Sequence, residues 1–159
     1  MDNILLPSDI KDKEYICMPS DPDDFEEVFC RQGGKWLLYT EESNLDSHWK
    51  SLLPLYHEGL ILGLKASTAK PLEVKLETHS YEKVMMCYTE DSDDLEYVRK
   101  VANAIRSAVK HELIMYYKTN VASKAGLYIH EGRRAVCKYM HSVKGQLFIR
   151  DQYKRWKMV

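Results

Sequence analysis

The chain has 159 residues, a length typical of one domain that buries its own core, and a formal net charge of -1 at pH 7. Its composition, 45% hydrophobic and 30% charged residues, excludes a disordered or fibrous chain. No apolar run approaches the ~20 residues of a membrane-spanning helix, and the acidic N-terminus does not have the pattern of a secretory signal. We therefore expect an intracellular protein, cytoplasmic or nuclear, with reduced thiols at its four widely spaced cysteines.

The charge is unevenly distributed along the chain. Residues 1–30 carry nine acids and two lysines, whereas residues 118–159 carry ten lysines and arginines against two acids. A basic segment of this kind favours a surface for phosphates, nucleic acid or acidic partners. The alternative is that the basic segment simply pairs with the acidic N-terminal segment.

The first half of the chain predicts an acidic arm followed by a strand and a helix. Residues 1–30 are interpreted as a partly irregular arm with a short helix over residues 24–29. The sequence KWLLYT at residues 35–40 is apolar, aromatic and preceded by glycines, which predicts a strand. Residues 43–46 have the pattern of a capping box, and the helix that follows should end at Gly59.

The rest of the chain predicts further strands and a second long helix. Pro54 predicts a bend or a break in the first long helix, because proline cannot donate a backbone hydrogen bond. Apolar residues at helical spacing then predict a helix over residues 93–110. The predicted strands are residues 60–68, 83–89, 113–119, 126–128, 133–140 and 146–149, and residues 71–80 are a loop or an edge strand.

Together these elements predict a single α+β domain. Two amphipathic helices among about six strands indicate a curved, mainly antiparallel sheet with both long helices packed on one face. The other face of the sheet should then be open and free of helices, which makes it the natural place for a ligand. The predicted organisation is an acidic arm at residues 1–30, a core domain at residues 31–149 and a basic aromatic tail at residues 150–159.

Two strand ends carry the residues most suited to binding an anion. Lys65, Ser67 and Thr68 follow one apolar run, and Lys118 and Thr119 follow another. Residues two apart share a strand face, so ammonium and hydroxyl groups from the two ends would hold one phosphate by charge-assisted hydrogen bonds. The alternative is that these lysines lie in solvent, as most lysines do.

The aromatic residues of the core domain divide into two groups. Trp36 leads a strand and Trp49 falls on the apolar face of a helix, so both are predicted to be core residues. Tyr116 is predicted to share the strand face of Lys118 and to line the ligand site.

The C-terminal tail combines aromatic and basic residues. Lys154, Arg155 and Trp156 suit single-stranded nucleic acid, because cations bind phosphates and bases stack on the ring. A tail that docks on its own domain is the equal alternative. No pattern of histidines and cysteines indicates a metal, and no glycine-rich phosphate loop or hydrolase motif is present, so we expect no metal and no cofactor.

Several short motifs, taken in order, resemble one known family. They are Gly34-Lys35-Trp36, Trp49, Glu58-Gly59-Leu60, Lys65-Ala66-Ser67-Thr68, Cys87-Tyr88-Thr89 with Asp93-Asp94, Tyr116-Tyr117-Lys118 and Gly126. Over about residues 33–140 the chain resembles the basophilic-leukaemia-expressed protein family, whose members are often labelled phosphothreonine lyase domain-containing proteins. The resemblance implies a fold like that of the messenger-RNA cap-binding translation initiation factor, a curved antiparallel sheet with helices behind it.

Three functions are open at this point. The first hypothesis is a binding module for a phosphorylated small molecule, such as a nucleotide, or for single-stranded RNA, held by Lys65 and Lys118. The second, implied by the resemblance, is a phosphothreonine-lyase-like enzyme in which a like charge lowers the pKa of Lys65 or Lys118 so that it acts as the base. The histidine acid and the phosphate-holding arginines of that chemistry have no match in the lysine motifs. The third is a protein-interaction scaffold that uses the acidic arm and the basic tail.

Overall fold

The computed structural model describes residues 4–71, 83–125 and 137–159, which contain eight strands and four α-helices. The strands are β1 (Tyr15–Met18), β2 (Gly34–Thr40), β3 (Gly63–Ser67), β4 (Lys83–Thr89), β5 (Met115–Thr119), β6 (Cys137–His141), β7 (Leu147–Arg150) and β8 (Trp156–Met158). The helices are α1 (Pro22–Val28), α2 (Leu45–His57), α3 (Leu95–Ala108) and α4 (Asn120–Lys124). In the described ranges no helix is both long enough and apolar enough to cross a membrane.

All the described strands join one antiparallel sheet. Its order is β1-β3-β4-β2-β5-β6-β7-β8, and each adjacent pair is antiparallel. β2 lies in the middle, where Trp36 is the register partner of Cys87 on β4 and of Tyr117 on β5. The predicted α+β class and the antiparallel sheet are therefore confirmed.

The two long helices pack on one face of this sheet, as predicted. Trp36 on β2 and Trp49 on α2 are 0% and 1% exposed and belong to the same apolar core, which confirms both as core residues. Trp36 Nε1 also donates a hydrogen bond to the carbonyl of Val98 at 3.2 Å, which ties β2 to α3. The fully buried face of α3 has the predicted helical spacing, at Val98, Val101, Ala102 and Ile105.

The sequence-based predictions for the two ends of α2 fare differently against the structure. The N-cap residue Asn44 has no side-chain cap hydrogen bond, so the capping box predicted at residues 43–46 is wrong. Asp46 instead accepts hydrogen bonds from the backbone N–H of Ser8 at 3.0 Å and from its hydroxyl at 2.5 Å, so its carboxylate binds a distant segment and not the helix terminus. At the C-terminal end the helix finishes at His57 with Glu58 as its C-cap, and the next residue is the predicted Gly59, whose φ of 79° is the left-handed conformation that glycine adopts readily.

Pro54 does not break α2, which continues to His57. The N–H of Glu58 donates to the Pro54 carbonyl at 2.9 Å, so hydrogen bonding resumes in the turn that follows. The proline therefore removes one backbone hydrogen bond from the helix but does not end it.

The other predicted helices and strands within the described residues differ from the structure by at most a few residues at their ends. β4 has its predicted bounds, and α3 is two residues shorter at each end than the predicted helix over residues 93–110. The predictions at residues 72–80, 126–128 and 133–136 lie outside the described residues.

The N-terminal arm is the main departure from the prediction. β1 pairs with β3 and extends the sheet, which the short sequence YICM among acidic residues and prolines did not indicate. α1 packs Phe25 and Val28 against Tyr88 on the sheet face opposite α2 and α3, called the second face below. The expectation that this face is free of helices is wrong at one end, because α1 has an apolar side of its own to bury. In the tail, β8 pairs with β7.

Candidate functional site

Three lysines meet on the second face. Trp36 points into the core, so its neighbour Lys35 points to the opposite side of β2. Lys35 is the register partner of Lys118 on β5, and side chains directly opposite each other have Cβ atoms ~5 Å apart. Lys65 reaches the same face from β3, beyond β4. The sheet therefore brings together positive charges that are far apart in the sequence.

The ring of Phe29 lies beside two of these ammonium groups. Lys35 Nζ is 5.0 Å from the centroid of the Phe29 ring and 5.3 Å from that of Tyr88. Lys65 Nζ is 5.8 Å from the centroid of the Phe29 ring and 4.3 Å from that of Tyr15. Aromatic faces attract cations, so they offset part of the hydration that these lysines lose.

Burial changes the protonation of the lysines. Lys35 and Lys118 are 5% and 3% exposed, and Lys65 is half-buried. Burial, together with the nearby charges of Lys118 and Lys65, lowers the pKa of Lys35 to about 7. The pKa of Lys65 is also lowered, chiefly by burial. An anion placed among these groups would favour their charged forms.

The hydrogen bonding of Lys35 is modest for a buried cation. Its ammonium donates to Ser123 Oγ at 2.7 Å. Ion pairs exist elsewhere in the part of the chain that the structure describes, but none of those includes Lys35 or Lys65. The carboxylate that usually accompanies a buried lysine is thus replaced by a hydroxyl and two aromatic rings.

A cavity of ≈ 880 Å³ reaches this cluster from the side of β1. Residues of α2 form one wall, and Phe25 and Phe29 form part of the other. Lys65 lines the cavity, whereas Lys35 and Lys118 do not. The Phe29 ring lines this cavity and also lies beside both Lys35 and Lys65.

The hydroxyls predicted beside Lys65 bind the protein itself. Ser67 Oγ accepts a hydrogen bond from the N–H of Val84 at 3.0 Å and donates to its carbonyl at 3.3 Å. Thr68 is fully buried, and its hydroxyl donates to the carbonyl of Lys13. These bonds hold the end of β3, and a role for either hydroxyl toward a ligand stays a prediction.

The predicted ligand residues on β5 have separate roles. Thr119 Oγ1 accepts a hydrogen bond from the N–H of Ala122 at 3.2 Å and so caps α4. Tyr116 is half-buried on the same side of β5 as Lys118. It packs in an apolar cluster of the second face that also contains Trp156.

The tail places one of its predicted nucleic-acid residues beside this face. Trp156 packs against the cluster around Leu37 and Tyr39. The guanidinium of Arg150 lies 4.1 Å from the centroid of the Trp156 ring, so the ring already makes a cation–π contact. The tail thus docks on its own domain and keeps part of the Trp156 ring accessible.

The two basic residues before Trp156 lie in the turn between β7 and β8. Arg155 Nε donates to Asp151 at 3.2 Å, and the guanidinium of Arg155 lies 5.0 Å from the centroid of the Tyr153 ring. Lys154 is exposed and has a positive φ of 61°. The ion pairs found in the described ranges do not join the tail to the acidic residues of α1.

The sequence did not identify Lys35 and Phe29 as residues of the candidate site. Lys35 begins an apolar strand, and its importance depends on Lys118 opposite it and on Tyr88 beside it, which only the strand pairing decides. The available signal was the alternation in KWLLYT, since a buried Trp36 places Lys35 on the other face. Phe29 was predicted to end a short helix over residues 24–29 of the N-terminal arm, with nothing in the sequence to place that helix over the sheet.

A second polar cluster lies on the helix side of the sheet and is already satisfied internally. The buried His141 accepts a hydrogen bond at Nδ1 from Arg106 Nε at 3.2 Å, and its Nε2 lies 3.1 Å from Asn103 Oδ1. Burial, with Arg106 nearby, lowers the pKa of His141 to about 4, so the ring is neutral. Among the described residues no group of three or more His, Cys, Asp or Glu could hold a metal ion.

Solved structures define the class of fold. The chain is similar to a schistosome eIF4E in complex with m7GpppG and 4E-BP, with 15% identity and a TM-score of 0.50, over 62% of this chain and 54% of that one. The same values hold for schistosome eIF4E with m7GpppA and 4E-BP. A C. elegans eIF4E-3, in complex with the 4E-binding protein Mextli and a cap analog, has 23% identity and a TM-score of 0.44, over 62% and 56% of the two chains. The chain has an eIF4E-like fold and spans about half the length of these structures.

A family match is more specific than the fold. The model of the family "Basophilic leukemia-expressed protein Bles03" matches residues 26–125, which is more than half of the chain. The chain belongs to this family, as the ordered motifs indicated. The matched range includes β2 to β5, the two long helices and all three lysines of the second face. No curated protein matches the chain.

Proposed function

We propose that this protein binds a phosphorylated ligand on the second face, with the ammonium groups of Lys35, Lys65 and Lys118 around the phosphate. The observation that carries the proposal is the register of Lys35 opposite Lys118, with Lys65 near enough to lower the pKa of Lys35. Like charges held this close repel one another, and an anion among them replaces repulsion by attraction. Charge-assisted hydrogen bonds to phosphate oxygens are also shorter and stronger than neutral ones.

A nucleotide or single-stranded RNA fits these surroundings better than inorganic phosphate. The rings of Tyr15, Phe29 and Tyr88 lie beside the lysines, and Trp156 packs farther along the same face. Stacking of a base on an aromatic side chain is worth ~1–3 kcal/mol. The similar eIF4E in complex with m7GpppG makes a cap dinucleotide the first compound to test.

Phe29 controls how such a ligand reaches the buried lysines. A phosphate that enters the cavity meets Lys65 first, because Lys65 lines it. Contact with Lys35, which does not line the cavity, would then require the adjacent Phe29 ring to move aside. Phe29 follows α1 and is half-buried, so this movement leaves the sheet unchanged.

Titration calorimetry tests the proposal with four probes: m7GpppG, GTP, tripolyphosphate and a phosphothreonine peptide. The informative variant is Lys35→Met, which removes the charge and keeps an unbranched chain. The control is Lys100→Met, an exposed lysine of α3 on the other side of the sheet. We expect at least one probe to bind, and Lys35→Met to weaken it about tenfold, which corresponds to ~1.4 kcal/mol. Unchanged affinity in Lys35→Met, or no binding by any probe, contradicts the proposal.

The pH dependence of binding provides a sharper check. Because the pKa of Lys35 is about 7, its ammonium form prevails at pH 6 and its neutral amine at pH 8.5. Tripolyphosphate should therefore bind more weakly at pH 8.5 than at pH 6 in the unaltered protein. A Lys35→Arg variant keeps its charge at both pH values, so its affinity should vary less. Equal pH dependence in both proteins would exclude Lys35 from the site.

A second candidate function, a phosphothreonine lyase, is favoured by the low pKa of Lys35. At neutral pH much of Lys35 is a neutral amine, which is the form that a general base requires. The amine would remove the Cα proton of phosphothreonine as the Cα=Cβ double bond forms. The Cβ–O bond would break, and phosphate would leave with the electron pair of that bond. Loss of phosphoric acid from the peptide mass, absent in Lys35→Met, supports this candidate, whereas an intact bound peptide excludes it.

A further inference from the structure

We propose that the outer edge of β1 binds an extended acidic segment of a partner protein, which adds a strand to the sheet. The proposal rests on the backbone of β1 and on the walls of the cavity beside it. It does not depend on the phosphate site, although the two share the cavity and its residues Tyr15, Phe29 and Lys65.

The backbone of β1 defines which groups face this edge. Of the described strands, only β3 pairs with β1. The carbonyl of Glu14 accepts a hydrogen bond from the N–H of Thr68 at 3.2 Å. Hydrogen-bonded positions alternate along an antiparallel pair, so Ile16 and Met18 also face β3, whereas the N–H and C=O of Cys17 point to the outer edge. Such an outward donor and acceptor is what an added strand pairs with.

The cavity beside β1 provides a wall on each side of an added strand. Trp49 and Leu53 of α2 line it below the sheet, and Phe25 and Phe29 line it above. Side chains of a strand alternate between the two faces of a sheet. An added strand would therefore place its successive side chains against α2 and against the segment around α1. The volume of ≈ 880 Å³ is in the range of cavities that hold sizeable ligands.

The charges around the cavity favour an acidic segment. Lys13, Lys50 and Lys65 line it, against a single carboxylate at Glu26. Glutamates of a bound segment would lie near these ammonium groups, whereas a basic segment would be repelled. Apolar residues between the acidic ones would meet the apolar walls. The partner sequence is thus extended and alternates acidic with apolar residues.

Fluorescence anisotropy with labelled octapeptides tests this proposal on the whole protein. The probe alternates valine and glutamate, and the matched control alternates valine and lysine. A third peptide has the probe sequence with methyl groups on the backbone nitrogens of its four central residues, which removes their donors. We expect the probe to bind, and both other peptides to bind at least about tenfold more weakly because they lack the complementary charge or the backbone donors.

Two charge-reversal variants locate the binding on the protein. Lys50→Glu changes an exposed residue of α2 that lines the cavity, and Lys100→Glu changes an exposed residue of α3 that does not. Lys50→Glu should weaken the valine–glutamate peptide about fivefold and strengthen the valine–lysine peptide. Lys100→Glu should change neither affinity.

Each contrary outcome has a distinct meaning. Equal binding of the N-methylated peptide shows that no strand is added, and it overturns the proposal. Binding that is lost in Lys35→Met and kept in Lys50→Glu assigns the peptide to the phosphate site, which also overturns it. A protein that dimerises with rising concentration and binds no peptide also overturns the proposal, with a second copy of the chain as the alternative occupant. Normal nucleotide binding with no peptide binding refutes this inference alone.

Discussion

The two faces of the sheet bury very different side chains. The face under α2 and α3 is apolar around Trp36, and its few polar groups pair with one another, as the hydroxyls of Thr89 and Tyr117 do at 2.5 Å. The second face buries Lys35 and Lys118 almost as deeply as the core buries its tryptophans. For Lys35, none of the ion pairs among the described residues supplies a carboxylate, and burying such a cation destabilises a fold. One face thus provides stability, and the other retains charge at the expense of stability, which is typical of binding surfaces.

The largest expected effect is on the helix-covered face, from Trp36→Ala. This change removes a fully buried ring and its hydrogen bond to Val98. We expect the free energy of unfolding, measured by urea denaturation, to fall by ~3–5 kcal/mol. The matched change on the second face is Trp156→Ala, which removes a partly exposed ring and should destabilise the protein far less. Similar losses in the two variants would mean that the second face carries as much of the stability as the core.

The next effect has the opposite sign and comes from Lys35→Met. The ordinary pKa of Lys35, which holds in the unfolded chain, is 10.5, and burial in the folded protein lowers this pKa to about 7. Between these pH values the unfolded chain binds more protons, so the stability of the unaltered protein rises with pH. At ~1.4 kcal/mol for each pH unit between these two values, removing the charge should stabilise the protein by up to ~5 kcal/mol at pH 6, and this gain should shrink toward pH 10.

Denaturation of Lys35→Met and of the unaltered protein at several pH values checks this prediction. Lys100→Met, on the exposed side of α3, is the control and should follow the unaltered protein throughout. A Lys35→Met variant less stable at pH 6 would show that Lys35 is well satisfied in the fold. The contrast between the two faces would then not hold.

The same contrast explains which parts of the molecule were predictable from sequence. The elements of the helix-covered face follow from local sequence patterns. In α3 the apolar residues recur at helical spacing, and β4 is a largely apolar run. Such patterns are fixed by the 3.6-residue and two-residue periods of helix and strand. The class of fold and the core positions of Trp36 and Trp49 followed from them.

The second face depends on contacts that no local pattern encodes. Lys35 became part of the site only through its pairing with Lys118, 83 positions later in the printed sequence. Phe29 reaches the lysines because α1 folds back over the sheet. Asp46 was predicted to cap α2 and instead binds Ser8. In each case a distant partner determined the outcome, and a single sequence does not reveal such partners.

A smaller effect concerns RNA on the second face. If single-stranded RNA binds there, Trp156→Ala should cost ~1–3 kcal/mol of binding, because a stacked base loses its ring. This change should leave the salt dependence unaltered, since stacking releases no counterions. Lys154→Ala should instead reduce the slope of log affinity against log salt by ~0.7. Fluorescence titration of a labelled single strand at four salt concentrations measures both quantities, and binding that does not vary with salt would exclude phosphate contacts.

The smallest expected effect comes from Lys154→Gly, in the hairpin that carries Trp156 to the second face. Lys154 has a φ of 61°, a left-handed conformation that costs a side-chain-bearing residue ~1 kcal/mol or more. Its N–H donates to Asp151 at 2.9 Å, and its carbonyl accepts from Arg150 at 2.7 Å, so the turn holds it there. Glycine relieves the strain and loses more entropy on folding, which leaves a net gain of roughly 0.5 kcal/mol.

Gly145, in the turn between β6 and β7, provides the reverse experiment. Its φ is 83° and a Cβ there would meet no atom within 4 Å, so Gly145→Ala tests backbone strain without a steric clash. We expect this change to lower the free energy of unfolding by ~1 kcal/mol, whereas Lys154→Gly raises it slightly. Suppose instead that Lys154→Gly destabilises the protein as much as Gly145→Ala does. The Lys154 side chain would then stabilise the hairpin itself, and loss of RNA affinity on changing Lys154 would no longer indicate a phosphate contact.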